Sequence, residues 1–412
     1  MNNLSKILSY STLGTLCAFL IQILSANILT PYDYGVIGRW LTDLSFLSIF
    51  LVFGLDNSLL FFSRNNETNF SLNFYKNIIF FTSITFFLLL ISFISNNILY
   101  YSSLIIVCYM LAIVQSLNSY NLLNSYFNRH GINNFIRNLI ILLVLAIVYL
   151  TGINVSSSLY INIYTFSILL VFIVVVLINY KPKFKLINAK MKIDKLYLKY
   201  GFKSMSNTLF AVMLYSSTIY ILDYYESKES VGIFFAATVL SKLAWVVPDS
   251  IGNLLYPKYL KIRSNDEKKA AFRETYFFAQ LNLVLNILSI VVFYFLGNFV
   301  INLLYGPNYI SMFWIVIILL VGNQGMVFYK ILGRYQASIN EWKTQRLALI
   351  VATIFNISLN FILIDLLGIL GSAISTAVSF WICGIIMAYN IKGSFKSFLN
   401  LKGFFRQIIN GK

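Results

Sequence analysis

The stretch KPKFKLINAKMKIDKLYLKYGFK, residues 181–203, divides this sequence into two halves. It carries eight lysines and one aspartate, and long apolar runs lie on both sides of it. A lysine cluster of this density favours either an anionic partner or a loop that fixes which side of a membrane the chain occupies. The composition of the flanking runs decides between these interpretations.

The composition is typical of a protein that crosses a membrane many times. Hydrophobic residues make up 59% of the 412 residues and charged residues 11%, and the mean hydropathy is +0.77. A soluble domain carries about 25% charged residues. We therefore predict an all-α integral membrane protein, without a polar segment long enough for a soluble domain and without a phosphate-binding Gly-rich loop.

Apolar runs of spanning length, roughly 20 residues each, occur six times before the lysine-rich stretch and six times after it. They predict twelve spans at 8–29, 36–62, 77–95, 99–126, 136–152, 158–180, 203–223, 231–256, 275–297, 309–329, 345–365 and 368–391. The first run is interpreted as a retained span because no clear A-x-A cleavage site follows it. We expect two pseudo-symmetric six-helix bundles around a central cavity. The predicted parts are an N-terminal bundle 1–180, a basic cytoplasmic linker 181–202, a C-terminal bundle 203–391 and a basic cytoplasmic tail 392–412.

The loops alternate in charge. Lys228 is the only basic residue in the odd-numbered loops, whereas the even-numbered loops and both termini hold nearly all of the 31 Lys and Arg residues. By the positive-inside rule, both termini are predicted to be cytoplasmic. The net charge of +17 therefore indicates membrane topology, and we expect no nucleic-acid partner. Attraction of anionic lipid head groups by residues 181–203 remains a lesser alternative.

Two basic residues, Arg39 and Lys242, are predicted to lie within spans. Charges in the hydrocarbon region are costly and usually face a bundle interior or a water-filled cavity. Lys242 is placed near the midplane, where it is a candidate for binding an anionic group, although a structural pair with Asp249 is the alternative. Arg39 is a second candidate substrate-binding cation, but it lies near enough to the interface to reach water.

The acidic residues in the spans are candidates for ion coupling or for charge pairing. Asp43 lies four residues after Arg39 and shares its helical face. Asp56 lies in the inner half of the second span, and Asp249 follows Pro248, which predicts a kink or break in the eighth span. Coupling to H⁺ or Na⁺ through Asp56 or Asp249 is left open, and no other cofactor is expected.

Uncharged polar residues recur along single helical faces. Interhelical hydrogen bonding is one interpretation, and a hydrophilic lumen for sugar hydroxyls is the other. The candidates for that lumen are Gln115, Asn118, Asn121, Asn282 and Asn286. The cysteines lie in apolar runs and His130 is the single histidine, so neither a disulfide framework nor a metal site is predicted.

Several loose motifs occur in a specific order along the chain: LTPYDYG (29–35), FGLD (53–56), LLYGPNY (303–309), IFNISLN (354–360) and LGILGSA (367–373). With these motifs the whole chain resembles polysaccharide-repeat-unit flippases of the Wzx (O-antigen) type, in the multidrug/oligosaccharidyl-lipid/polysaccharide exporter superfamily. Related flippases place cations on spans two and eight, where Arg39 and Lys242 lie here. They often carry further basic residues on span one, where this sequence has none between Leu8 and Leu29.

The resemblance implies a non-enzymatic transporter in the bacterial inner membrane. Its expected activity is the flipping of undecaprenyl-diphosphate-linked oligosaccharide repeat units from the cytoplasmic to the periplasmic leaflet by alternating access. The expected partners are this lipid-linked oligosaccharide and membrane lipids, together with a polysaccharide polymerase and a chain-length regulator in the same pathway.

Two other functions are considered. A multidrug antiporter of the same superfamily usually carries an acid on span one, and none is present here. A membrane polysaccharide polymerase or ligase would be expected to have a large outer loop with catalytic residues, whereas the longest predicted outer loop has about eight residues by the span lengths used above.

Overall fold

In the computed structural model, the protein is almost entirely helical. The structure describes residues 2–62, 67–92, 97–123, 127–179, 195–259, 264–338 and 342–392, and these ranges contain no strand. The all-α fold predicted from the composition is therefore confirmed. Residues 181–194 of the predicted linker and 393–412 of the predicted tail lie outside the described residues.

The chain forms fourteen α-helices within the described ranges. They are α1 (Asn2–Ile28), α2 (Pro31–Val52), α3 (Leu55–Phe62), α4 (Glu67–Ser92), α5 (Ile98–Leu123), α6 (Phe127–Leu150), α7 (Ser157–Asn179), α8 (Lys195–Tyr225), α9 (Lys228–Ser241), α10 (Val246–Tyr259), α11 (Asn265–Tyr305), α12 (Phe313–Ser338), α13 (Trp342–Leu367) and α14 (Ile369–Lys392). Two 3-10 segments, Lys242–Trp245 and Pro307–Met312, precede α10 and α12.

These helices supply the predicted number of membrane crossings. Eleven stretches of the described residues are long and apolar enough to cross a bilayer, and Thr12–Ile28 in α1 is a shorter apolar helix. The second crossing consists of α2 and α3, and the eighth consists of α9, the 3-10 segment Lys242–Trp245 and α10.

The residues group into two compact units, Met1–Val212 and Met213–Lys412. In the first unit, α1 packs mainly on α6, and α5 packs on α2, α4 and α7. In the second unit, α12 packs on α14, α11 and α10, and α13 packs on α14. Each unit therefore has a central helix, α5 or α12, that contacts the broken crossing of that unit.

The α12–α14 contact depends on glycine. A Cβ atom added to Gly325 would lie 2.4 Å from the carbonyl oxygen of Phe380, and one added to Gly384 would lie 2.3 Å from the carbonyl oxygen of Gly325. Small residues let two membrane helices approach at backbone distance, where dispersion contacts are strongest. This approach fixes α12, which carries residues of the site described below.

The two broken crossings begin in the same way. The Thr30 hydroxyl accepts a hydrogen bond from the Asp33 N–H at 3.1 Å, and the Ser227 hydroxyl accepts one from the Ser230 N–H at 3.2 Å. In α2, Pro31 occupies the first helical position, where its missing N–H costs nothing. These caps define where α2 and α9 start.

One of the two breaks was not predicted, and the other lies one helical turn before its predicted position. The second span was predicted to be continuous, but it is interrupted at Phe53 and Gly54, whose φ angles are 50° and 64°. In the eighth span, the helix changes to 3-10 geometry at Lys242–Trp245, before Pro248, which lies in the first turn of α10. Proline removes the hydrogen bond to the residue four positions earlier, so the disturbance falls one turn before Pro248.

Candidate functional site

Lys242 is the first residue after α9 and begins the 3-10 segment of the eighth crossing. Counted from Lys228, it lies about 21 Å along the helix axis at 1.5 Å per residue. A hydrocarbon core is about 30 Å thick, so this lysine lies well inside the candidate span Lys228–Gly252. The change in helix geometry coincides with this residue.

The indole ring of Trp245 lies near the ammonium groups of two lysines. The Nζ atom of Lys242 is 5.8 Å from the ring centroid, and the Nζ atom of Lys330 on α12 is 4.5 Å from it. Trp245 is buried, and the rings of Tyr215 and Phe380 pack against it with centroid distances of 5.2 and 5.8 Å. An ammonium group over an indole face gains about 0.5–2 kcal/mol, so the ring stabilises the positions of both lysines.

Asp249 on α10 neutralises only one of these lysines. The Nζ atom of Lys330 donates to both carboxylate oxygens of Asp249 at 2.8 Å. The structure therefore pairs Asp249 with Lys330 and not with Lys242, which was the alternative considered from the sequence. Within the described residues, Lys242 forms no ion pair, whereas Lys330 does. We call Lys242, Trp245, Asp249 and Lys330 the cation–tryptophan cluster.

Lys330 is a member of this cluster that the sequence does not single out, because it lies one residue after the predicted span 309–329. The apolar helical stretch in the structure, Pro307–Gln336, instead continues past Lys330. A signal was present: the apolar run of α12 carries on beyond Lys330 through Ile331 and Leu332, both buried.

The cluster carries more positive than negative charge. Lys242 and Lys330 are opposed by the single carboxylate of Asp249, whose side chain is 42% exposed, whereas that of Lys330 is 15% exposed. The Nε1 atom of Trp245 is buried and has no hydrogen-bond partner among the described residues. An excess ammonium charge and an unused N–H donor together form a site suited to an anionic oxygen group.

Arg39 and Asp43 form the predicted pair in the first unit. The Arg39 Nε atom lies 3.3 Å from an Asp43 carboxylate oxygen, and the hydroxyl of Tyr100 donates to the other oxygen at 2.6 Å. The two side chains are 29% and 23% exposed. Arg39 lies about 12 Å from the start of α2 at 1.5 Å per residue.

Asp56 is buried in the first turn of α3, directly after the break in the second crossing. The amide of Gln115 on α5 donates to its carboxylate at 2.8 Å. Among the described residues, Asp56 forms no ion pair. The structure thus brings together two of the predicted candidates, Asp56 and Gln115, from different helices.

Two other candidates, Asn118 and Asn121, belong to a buried amide network between α5, α6 and α7. Asn133 donates to Asn118 at 2.8 Å, and Asn121 donates to Asn179 at 2.8 Å. Asn179 in turn donates to Asn133 at 3.3 Å. These contacts are the interhelical hydrogen bonds that were weighed against a sugar-binding lumen.

Asn282 and Asn286 line a groove of about 270 Å³ in the second unit, between α9, α10, α11 and α12. Ser289 continues their stripe along α11, while the rest of the groove is mostly apolar and includes Leu243 and Val247. The Oδ1 atoms of Asn282 and Asn286 are buried without a hydrogen-bond partner among the described residues.

Comparison with known proteins identifies the family. Residues 24–314 match the family model described as "Polysaccharide biosynthesis protein". The chain belongs to this family of polysaccharide biosynthesis proteins. The resemblance predicted from the motifs at 29–35, 53–56 and 303–309 is therefore confirmed at the level of the family.

One curated relative is a probable low-salt glycan biosynthesis flippase, Agl15, from Haloferax volcanii. It is 22% identical over 231 residues, which is 55% of this chain and 46% of the relative. The match thus spans about half the length of each protein.

Solved structures of transporters share the fold. Lipid II flippase MurJ in an inward closed conformation aligns with a TM-score of 0.73 at 17% identity, covering 97% of this chain and 93% of MurJ. An inward-facing MATE family multidrug resistance transporter of the MOP superfamily aligns with a TM-score of 0.69 at 14% identity, covering 92% of this chain and 96% of that transporter. This multi-pass membrane protein therefore has the MOP-superfamily transporter fold, and at these identities the likeness concerns the fold alone.

Proposed function

We propose that this protein flips undecaprenyl-diphosphate-linked oligosaccharide repeat units across the bacterial inner membrane, from the cytoplasmic to the outer leaflet, by alternating access. The product would serve the synthesis of O-antigen or another surface polysaccharide. The observation that carries the proposal is the position of Lys242 and Lys330 about the Trp245 ring, with Asp249 paired to Lys330 alone.

The charge of the cluster suits the diphosphate of such a lipid. An unpaired ammonium inside a membrane is costly, and an anion bound beside Lys242 would offset that cost. A diphosphate offers several acceptor oxygens for the two ammonium groups and for the Nε1–H of Trp245. A cationic drug, the cargo of the rival antiporter function, would be repelled by the same excess of positive charge.

The physics of the cargo explains why a protein is needed. Sugar hydroxyls that lose their water without new partners cost several kcal/mol each, on the order of 2–7. Polar side chains within a transporter replace those hydrogen bonds while the polyprenyl tail stays in lipid. Outward movement of a negative charge from a negative interior gains about 2.3 kcal/mol per charge per 100 mV, so the membrane potential alone can favour export.

The family match and the glycan flippase relative support the same class of cargo. The positive-inside pattern of the loops supports cytoplasmic termini. A polymerase and a chain-length regulator are the partners that such a pathway would need to consume the flipped repeat unit.

The test is reconstitution of the purified protein into liposomes that contain a fluorescent polyprenyl-diphosphate oligosaccharide. Flipping is followed as loss of fluorescence when a membrane-impermeant reductant is added outside. We expect transfer of the diphosphate-linked sugar and none of ethidium, a cationic drug. Transport of ethidium without transfer of the lipid-linked sugar would overturn the proposal in favour of an antiporter.

The role of the anionic group is tested by competition. Farnesyl diphosphate should inhibit flipping, and farnesol, which has the same apolar chain without the charge, should not. Equal inhibition by the two compounds would show that the apolar tail alone is recognised and would contradict diphosphate binding.

A further inference from the structure

The break in the eighth crossing is bonded to a side chain of a neighbouring helix. The Nδ2 atom of Asn323 on α12 donates to the backbone carbonyl of Ser241 at 2.8 Å. Ser241 is the last residue of α9, directly before Lys242. Asn323 and Ser241 are 1% and 3% exposed, so this hydrogen bond is shielded from competing water.

This hydrogen bond explains why the helix changes geometry at this point. In a continuous α-helix, the Ser241 carbonyl would accept from the backbone N–H four residues later, which is that of Trp245. A side chain that bonds to such a carbonyl interrupts the backbone ladder, which is one cause of a sharp change in a helix. Pro248 lacks the N–H that the Ala244 carbonyl would accept. Asn323 and Pro248 therefore act on one carbonyl at each end of the 3-10 segment.

The 3-10 geometry determines the position of Lys242 relative to Trp245. A 3-10 helix has 3.0 residues per turn, so side chains three residues apart lie directly above one another. In an α-helix, with 3.6 residues per turn, the same side chains would be about 60° apart around the axis. The Nζ atom of Lys242 is 5.8 Å from the centroid of the Trp245 ring. A segment held in 3-10 geometry therefore keeps this ammonium group over the ring.

The helix α12 gives Asn323 a rigid support, because it packs against α14 at backbone distance. A Cβ atom added to Gly322 would lie 2.5 Å from the Cα atom of Ala377, and one added to Gly325 would lie as close to the α14 backbone. Asn323 lies between these two glycines in the sequence. Close packing on both sides fixes the backbone from which its amide group extends.

One face of α12 contacts the eighth crossing on both sides of the break. Asn323 bonds to the Ser241 carbonyl before the 3-10 segment, and Lys330 bonds to the Asp249 carboxylate after it. Asn323 and Lys330 are seven residues apart, so they share a helical face and lie about 10.5 Å apart along the axis. Two attachments to one rigid helix restrict the segment between them.

We infer that Asn323 is a positioning residue for the anion site. By bonding to the Ser241 carbonyl it fixes the 3-10 segment and keeps the Lys242 ammonium group over Trp245, where the diphosphate binds. Asn323 acts through Lys242 and does not itself contact the anion. This inference rests on the proposed function, because it requires that the diphosphate of the cargo binds beside Lys242.

Isothermal titration of the purified detergent-solubilised protein with farnesyl diphosphate tests the inference. Asn323→Leu keeps the approximate size of the side chain and removes the amide donor. It should weaken binding by about threefold to tenfold, the usual effect of losing one neutral hydrogen bond. Asn323→Ala, which removes the donor without risk of overpacking, should weaken binding as much. Asn323→Gln retains an amide donor on a longer chain and should recover part of the affinity.

A double-mutant cycle with Lys242→Ala separates positioning from a general loss of stability. Because Asn323 acts through Lys242, the variant with both substitutions should bind farnesyl diphosphate as weakly as Lys242→Ala alone. Asn356→Leu is the matched control, because it removes another buried interhelical amide, which accepts from Ser217 at 2.8 Å. It should lower the melting temperature without changing the affinity for farnesyl diphosphate.

The outcomes distinguish this inference from the proposed function. Absence of farnesyl diphosphate binding by the parent protein would overturn both. Binding by the parent that Asn323→Leu and Asn323→Ala leave intact would overturn the positioning role alone. The same conclusion would follow if the losses from Asn323→Leu and Lys242→Ala were fully additive in free energy, or if Asn356→Leu weakened binding as much as Asn323→Leu.

Discussion

Lys330 on α12 donates to both carboxylate oxygens of Asp249 on α10 at 2.8 Å, and this bidentate pair determines which lysine of the cluster has its charge compensated. Because Asp249 is engaged with Lys330, the ammonium group of Lys242 keeps its charge uncompensated on the same Trp245 ring. An ion pair between Lys242 and Asp249, both in the eighth crossing, would instead have left the charge of Lys330 uncompensated.

Replacement of Lys242 tests whether this charge holds the cargo. Lys242→Ala should reduce flipping by roughly 10–100-fold, because a hydrogen bond to a charged group contributes about 1.5–3 kcal/mol. Lys242→Arg should have a milder effect, since it retains the charge. Flipping in proteoliposomes is the measurement, with protein content determined by immunoblot. Lys343→Ala, at an exposed position of α13, is the matched control, and normal flipping by Lys242→Glu would show that an anion is not bound there.

Replacement of Asp249 should act in the opposite direction on anion binding. Asp249→Asn removes the one negative charge of the cluster, so farnesyl diphosphate should bind more tightly, by up to about tenfold. The same change should lower thermal stability by about 1 kcal/mol, a modest amount because the Asp249 side chain is 42% exposed and is screened by solvent. Isothermal titration and thermal unfolding of the purified variant give the two quantities. Weaker diphosphate binding in a stably folded Asp249→Asn variant would contradict the assignment.

Substitutions of Arg39 and Asp43 distinguish a role of Arg39 in substrate binding from a structural role of the ion pair. Both side chains are partly exposed, so a double-mutant cycle of Arg39→Met and Asp43→Asn should give a coupling free energy of only about 0.2–1 kcal/mol. If Arg39 contacts the cargo, Arg39→Met should reduce flipping more than Asp43→Asn does. Equal losses from both single variants would show that the pair acts as one structural unit.

The Asn179 network should affect stability more than transport. Asn179→Leu removes the acceptor of the Asn121 amide N–H and the donor to the Asn133 amide oxygen, which should lower the unfolding free energy by about 1–3 kcal/mol. Flipping per folded molecule should be unchanged. Asn298→Leu, at an exposed position of α11, is the control for the general effect of this substitution. A fall in flipping without a fall in melting temperature would instead indicate a polar lumen for sugars.

The break at Gly54 should tolerate no side chain. Gly54→Ala places a Cβ 2.4 Å from the carbonyl oxygen of Gly201 and forces alanine into a left-handed conformation. The left-handed backbone costs about 1–2 kcal/mol, and overpacking adds about 1–3 kcal/mol. Gly152→Ala separates the two effects, because Gly152 has a φ of +63° and nothing within 4 Å of the added Cβ. Similar melting temperatures for the two variants would show that the contact with Gly201 carries no strain.

Hydropathy predicted most of the fold because membrane crossing is a local property. A run of about 20 apolar residues satisfies its own backbone hydrogen bonds as a helix whatever surrounds it. The twelve runs therefore correspond to the crossings found, and the length of the eighth run is enough to place Lys242 inside its crossing. The break at Phe53 and Gly54 was not predicted, because its left-handed residues are held by the close approach of Gly201 from α8.

The sequence by itself determined the fold class, the number of apolar helical crossings and the position of Lys242 within the eighth of them. These follow from the free energy of transferring side chains and backbone into lipid, which acts residue by residue. Only the tertiary structure decided which charges remain unpaired. Lys330 is 81 residues from Asp249 along the chain, and close packing of α12 on α10 brings the two together. Ion pairing between helices depends on interatomic distances of a few ångströms. The pattern of residues along a single helix does not predict these distances.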